Sequence, residues 1–186
     1  VYKRQVFGKR AGEHAAKRAA SLEQPTLDTA AIETAVAENL APLVREGGEN
    51  PGKVYDELRE MMQQKVGIIR TKDDLESAMI DLKDFKNRVT MTSPGSSMTY
   101  NSGWHQAIDL KNMVDISHAC TLAALTRTES RGGHTRDDFP VPDTGMWSHT
   151  TNVIKKENGE ITIHQEDLNQ PPEELEKLLD RSKKEA

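Results

Sequence analysis

Hydrophobic and small residues recur along this chain at helical spacing, broken by short polar and proline- or glycine-containing stretches. In residues 6–20 the stripe Gly8, Ala11, Gly12, Ala15, Ala16, Ala19 predicts a helix with one nearly bare face, able to lie close to a sheet or a bound cofactor. Its other face carries Lys9, Arg10, Glu13, Lys17 and Arg18. Asp28 then reads as the cap of a helix to about residue 45, with Ile32, Val36, Leu40 and Val44 on one face and a kink or end at Pro42. Asn50-Pro51 reads as N-cap and first residue of a helix burying Val54, Leu58, Met61 and Met62, which "VGIIR" continues or bends at Gly67. Thr71 with Asp74 resembles a capping box, opening a helix with Leu75, Met79, Leu82, Phe85 and Val89 inside. The loop "TMTSPGSSMTYNS" separates it from a longer helix over residues 103–128. The charge-free run "ISHACTLAALT" marks the second half of that helix as the most enclosed part of a bundle, with His118 as a core or boundary histidine. Two alternating segments, 151–156 and 160–164, flank Asn158-Gly159 and predict a β-hairpin. A terminal helix is expected over 171–186, with Leu175, Leu178 and Leu179 on one side. The fold class is mainly α: a helical bundle with a preceding helix and a small hairpin extension.

Composition narrows the picture. With 35% hydrophobic, 30% charged and only 4% aromatic residues, the chain is lean for an independent enzyme and suits an alanine-rich helical piece with much solvated surface. The net charge of −5 is interspersed, without the basic stripe that binds nucleic acid, so no nucleic-acid partner is expected. Cys120 is the only cysteine, which excludes intrachain disulfides, zinc knuckles and cysteine-held iron–sulfur clusters and suits a reducing cytoplasm. No apolar run approaches the ~18 residues of a membrane span. The opening "VYKRQ" matches one translated frame of a transposon-type sequencing adapter, so residues 1–5 are read as a scar and the natural sequence as starting near Val6.

Phosphate-cradling glycine motifs, H-E-x-x-H and G-x-S-x-G are all missing. The densest chemistry is "TESRGGHTRDDFP", residues 128–140. As a catalytic site, His134 or an arginine would act as acid or base, oriented by Asp137 or Asp138, with Gly132-Gly133 letting the backbone approach a ligand. As structure, Glu129 and Arg131 would cap the long helix, and Arg136 with the aspartates would fix the exit path before Pro140. The residue types alone suit both.

The signature E-S-R-G-x-H-x-R-x-D-x-P, together with "VFGKRAGEHAA", "NPGKVYDELREMMQQKVGIIR", "NSGWHQAIDLKNMVDISHACTLAAL" and "MWSHT", resembles the C-terminal region of the succinate dehydrogenase/fumarate reductase flavoprotein subunit over residues 6–165. The wording around Trp104 is close to the actinobacterial-type branch. The resemblance implies residues 6–27 as the last helix of the FAD-binding domain plus a linker, 28–128 as the helical domain, and 129–186 as a C-terminal extension with the hairpin. It implies FAD as cofactor, succinate and fumarate as substrates, and an iron–sulfur subunit as partner and electron acceptor. The implied location is cytoplasmic, peripheral on the inner face of the membrane, which is contacted only through anchor subunits. In that family the flavin-binding glycines and the substrate-binding and proton-donating residues lie earlier than the equivalent of Val6. No catalytic, cofactor-binding or metal residue is therefore carried over onto this sequence, and the chain alone is expected to be inactive. The resemblance also shifts the motif's reading: Glu129, Arg131, His134, Arg136 and Asp138 become a structural polar network or interface. Two other readings are an L-aspartate oxidase C-terminal region and a non-enzymatic helical interaction domain. The "MWSHT" segment and the hairpin favour the first family.

Overall fold

Three helices make the core, and each starts where the sequence supplies a cap. The computed structural model describes residues 2–169 and 172; the expected terminal helix lies outside the described residues, residue 172 apart. At α3 (Pro51–Lys65) the Asn50 side chain accepts from the N–H of Gly52 (2.8 Å) and of Lys53, with Pro51 in the first turn, where no N–H is missed. At α4 (Lys72–Thr90) the Thr71 hydroxyl accepts from Asp74 N and donates to its carboxylate at 2.7 Å. At α5 (Ser102–Thr126) the Asn101 carbonyl accepts from Trp104 N at 3.0 Å, while its amide donates to Ser97 O and gathers the preceding loop.

Val54, Leu58 and Met61 of α3, Leu75, Ala78, Leu82, Phe85 and Val89 of α4, and Leu110, Val114 and Ala124 of α5 form one apolar cluster. Met62 lies at its edge, and Met79, expected inside, is only partly buried. The second half of α5 is less enclosed than its lack of charge suggests: Ile116 is 65% exposed and Cys120 is exposed. Its run of small neutral side chains tolerates a half-wet helix as readily as a buried one, so absence of charge does not fix burial there.

The chain divides into two units, Val1–Glu38 and Asn39–Ala186. The first contains α1 (Tyr2–Ser21) and the start of α2 (Thr29–Val44), which Asp28 caps through Ala30 N and Ala31 N. Residues 4–38 are all exposed, and a Cβ added at the bare positions Gly8 and Gly12 would point into open space. The helix continues past Pro42 to Val44. Pro42 and Leu43 are the buried residues there, whereas Val44 is exposed.

"VGIIR" neither continues nor merely bends α3. The helix ends at Lys65, and Ile69–Arg70 forms a short strand, β1, parallel to β2 (Thr135–Arg136), pairing Ile69 with Thr135 and Arg70 with Arg136. A 3-10 turn, η1 (Met146–Ser148), precedes the hairpin of β3 (Thr150–Glu157) and β4 (Glu160–Asp167). Its two-residue turn has positive φ at Asn158 (51°) and Gly159 (80°), as a type I′ turn requires. The hairpin is held to the bundle by Asn152 Nδ2 donating to Ala123 O (3.2 Å), by Lys86 Nζ donating to Gly159 O (3.0 Å), and by the Lys156–Asp115 ion pair.

Truncating the fully buried Leu58 to Ala should destabilise the chain by about 2–5 kcal/mol, from lost transfer energy and the cavity left behind. Ile80→Ala, at a 69% exposed position on α4, should stay within about 0.5 kcal/mol. Urea unfolding midpoints of the two variants check the contrast.

Candidate functional site

The last turn of α5 leaves carbonyls without intrahelical partners, and the motif downstream satisfies them. Arg136, 1% exposed, donates from Nη1 to Ala124 O (2.8 Å) and Leu125 O (3.2 Å), and at 3.4 Å to Arg127 O. Its Nε and Nη2 form a bidentate pair with Asp138 Oδ1 (2.8 Å) and Oδ2 (2.7 Å). Asp138 Oδ2 also accepts from Lys72 N (3.0 Å), the first residue of α4. One ion pair thus sets a cation at the carbonyl end of α5 and an anion at the amide end of α4, each favourable to its helix dipole. The Arg136 hydrogen bond holds the Asp138 carboxyl below its ordinary value against the opposing effect of burial.

The chain reaches this position through a tight reversal. Arg131 N donates to His134 O (2.8 Å) and His134 N to Arg131 O (3.1 Å), with Gly132 at φ 60° inside the turn. Ser130 Oγ then accepts from Arg136 N (2.8 Å) and donates to Phe139 O (2.8 Å). Asp137 contributes its backbone N–H, which donates to Arg70 O at 2.9 Å and extends the β1–β2 pairing.

Glu129 is fully buried yet ionised. Arg131 donates to it from Nε (3.1 Å) and Nη2 (3.0 Å), Arg127 from Nε (2.8 Å) and Nη2, and Asp143 N at 2.7 Å. The Arg131 hydrogen bond, then those of Arg127 and the Asp143 amide, outweigh burial and pull its pKa down to about 2. The Asp143 carboxylate accepts from Trp147 N and Gly145 N, both at 2.9 Å, and so opens η1. Trp147 is 4% exposed, donates Nε1–H to Thr128 Oγ1 (3.2 Å), and lies under the Arg127 guanidinium, 5.1 Å from the ring centre.

His134 joins the two halves of this network. Its Nδ1 lies 3.0 Å from Arg70 Nη1 and its Nε2 3.0 Å from Arg127 O. A guanidinium only donates and a carbonyl only accepts, so Nδ1 must be bare and Nε2 must carry the proton. Burial, with the charges of Arg70, Arg136 and Arg127, lowers its pKa and favours that neutral form.

All the residues singled out from the motif, Glu129, Arg131, His134, Arg136 and Asp138, are brought together. The division of labour differs from the sequence reading: Arg136 caps α5, while Glu129 and Arg131 tie the helix exit to the 143–147 turn. Arg70, Arg127, Asp143 and Trp147 were not foreseen as members. The available signals were Arg127 two residues before Glu129 and the turn-forming "PDTG" ahead of Trp147. No buried side-chain nitrogen or oxygen among the described residues lacks a partner, so the network leaves no orphaned group to hold a ligand.

Residues 55–178 match the family described as Fumarate reductase flavoprotein C-term. A fumarate reductase (CoM/CoB) polypeptide of Methanothermobacter marburgensis is 36% identical over 136 residues, covering 73% of this chain and 24% of that protein. The Escherichia coli fumarate reductase flavoprotein subunit is 34% identical over 140 residues, covering 72% and 23%. Among solved structures, the Mycobacterium smegmatis Sdh1 complex in the apo form contains a chain that superposes with a TM-score of 0.81 at 38% identity, over 89% of this chain and 28% of that one. The chain therefore spans about a quarter of the length of the curated relatives it matches.

Removing Arg136 leaves helix-end carbonyls and Asp138 without their partner, so Arg136→Met should destabilise by about 3–5 kcal/mol, whereas Asp137→Asn should be near neutral. Urea unfolding of both variants tests this. Acid should weaken the fold in two windows. His134 has a folded pKa below its ordinary 6.5, so its stabilisation is complete above that value and lost as pH falls through the folded pKa. Glu129 contributes fully above 4.5 and loses its contribution as pH falls toward about 2. Unfolding midpoints followed from pH 7 to 3 should show a smaller upper window in His134→Gln, where His118 still contributes, and a smaller lower one in Glu129→Gln, where Asp138 and Asp143 still contribute.

Proposed function

The chain belongs to the fumarate reductase flavoprotein C-terminal family, and on that premise we propose that it is the C-terminal helical part of a flavoprotein subunit that interconverts succinate and fumarate. The observation that carries this reading is the family match over residues 55–178, with the E-S-R-G-x-H-x-R-x-D-x-P motif inside it. FAD, hydride transfer to it, and onward electron transfer to an iron–sulfur subunit belong to the complete flavoprotein. The 129–138 motif does not fit a flavin site: its charged groups are spent on one another, and none of its buried side-chain nitrogens or oxygens lacks a partner.

In this reading the 129–138 network clasps the helical domain to its extension. It performs no proton transfer, and no residue of the chain is assigned to catalysis, cofactor or metal. Residues 6–27 are the last helix and linker of the flavin-binding domain. Exposed apolar side chains there, among them Val6, Phe7, Leu22 and Leu27, suit a surface that a longer chain covers. No helix of the described residues is long and apolar enough to cross a membrane, which suits a subunit held peripherally on the inner face through anchor subunits.

The purified 186-residue chain should show no flavin absorbance and no succinate-dependent dye reduction, while the complete flavoprotein containing it shows both. Either signal from the chain alone overturns the assignment of the chemistry to the rest of the protein.

A further inference from the structure

Away from the clasp, α4, α5 and the hairpin turn enclose a cavity of about 290 Å³. Leu82, Val114 and Ile161 give it an apolar floor, Lys83 and Lys86 line it with positive charge, and His118 adds an imidazole. Two features set it apart from the rest of the molecule. His118 is half-buried on the cavity wall, and its imidazole makes no hydrogen bond or ion pair with any described residue, the nearby Asp115 charge acting on it only at a distance. Lys83 has no ion-pair partner among the described residues either. Of the remaining charges, Asp115 is already paired with Lys156 of the hairpin, and Glu160 on β4 is the other acidic group of the lining. One positive charge is left in excess. Lys86 also donates to Gly159 O, which holds the hairpin turn over the opening.

We propose that this cavity binds a small organic carboxylate, its anionic end held by His118, Lys83 and Lys86 and its short hydrocarbon body resting on Leu82, Val114 and Ile161. The size sets the ligand class, because 290 Å³ is at the lower limit of small-molecule pockets, about 300–1,000 Å³. An apolar floor favours a carbon chain over a fully hydrated phosphate. A carboxylate supplies the acceptor that His118 lacks and neutralises the excess charge. Burial first, and the Lys86 charge next, hold the His118 pKa below 6.5. A bound anion opposes the second effect and partners the imidazolium, so binding takes up a proton and strengthens as pH falls toward that value. The cavity alone carries this assignment, independently of the family.

Imidazole NMR of the 186-residue chain tests it, with butyrate as probe and His118→Gln identifying the resonance. Butyrate should move the His118 signals saturably and raise the His118 pKa, leaving His134 unmoved. Lys83→Gln, which removes no structural contact, should weaken butyrate binding by roughly five-fold. The proposal fails if chloride at equal ionic strength gives the same shift, if no saturable shift appears, if phosphate binds and butyrate does not, or if Lys83→Gln leaves the titration unchanged.

Discussion

The fold depends on one buried guanidinium. Burying a charge costs several kcal/mol unless it is paired and hydrogen-bonded, and Arg136 meets that condition by standing between the carbonyl end of α5 and the Asp138 carboxylate that accepts from the first amide of α4. The same residue belongs to the β1–β2 pairing, opposite Arg70. A lysine could not replace it, because a point charge lacks the planar fork that reaches a carboxylate bidentately on one side and helix carbonyls on the other. Two core helices and the β1–β2 pair are thereby set relative to each other at a single point.

Glu129 does for the extension what Arg136 does for the bundle. Two arginines and the Asp143 amide fix its carboxylate, and Asp143 in turn opens the η1 turn that seats Trp147 under Arg127. The aromatic ring and the ion pairs share Arg127, so the apolar and charged parts of the join stand together. Farther along, the hairpin is held by three contacts of its own, to α4 and α5. The extension is therefore fastened at both of its ends.

What could be read from the sequence is what the sequence encodes locally. Asn50-Pro51, Thr71 with Asp74, and Asn158-Gly159 each determine a start or a turn within a few residues, and each element formed where these signals placed it. The apolar spacing of α3 and α4 identified nearly all of their buried face. The misses share a cause. β1 exists because of a partner strand far down the chain, so "VGIIR" reads as helix in isolation. Ile116 and Cys120 are exposed because they fall, with His105, Asp109 and Asn112, on the one stripe of α5 that its neighbours leave uncovered. Arg70 and Asp143 joined the polar network from outside the motif, and no spacing rule links them to it.

Density of ionisable residues is a poor guide to chemistry because what a site can do depends on what its groups have left over. A general base must accept a proton near working pH, and Glu129, with a pKa of about 2 under two guanidiniums, cannot. His134 has one nitrogen receiving from Arg70 and the other giving to Arg127 O, so a proton transfer to substrate would first have to break the turn it holds. The richest run of polar side chains in the molecule is thus the one with the least spare capacity. Unspent capacity lies instead beside an unremarkable stretch of α5, where His118 makes no hydrogen bond and shares its cavity with Lys83 and Lys86. Unfilled hydrogen-bonding valence, rather than the number of charged letters, is the property that marks a place for a ligand.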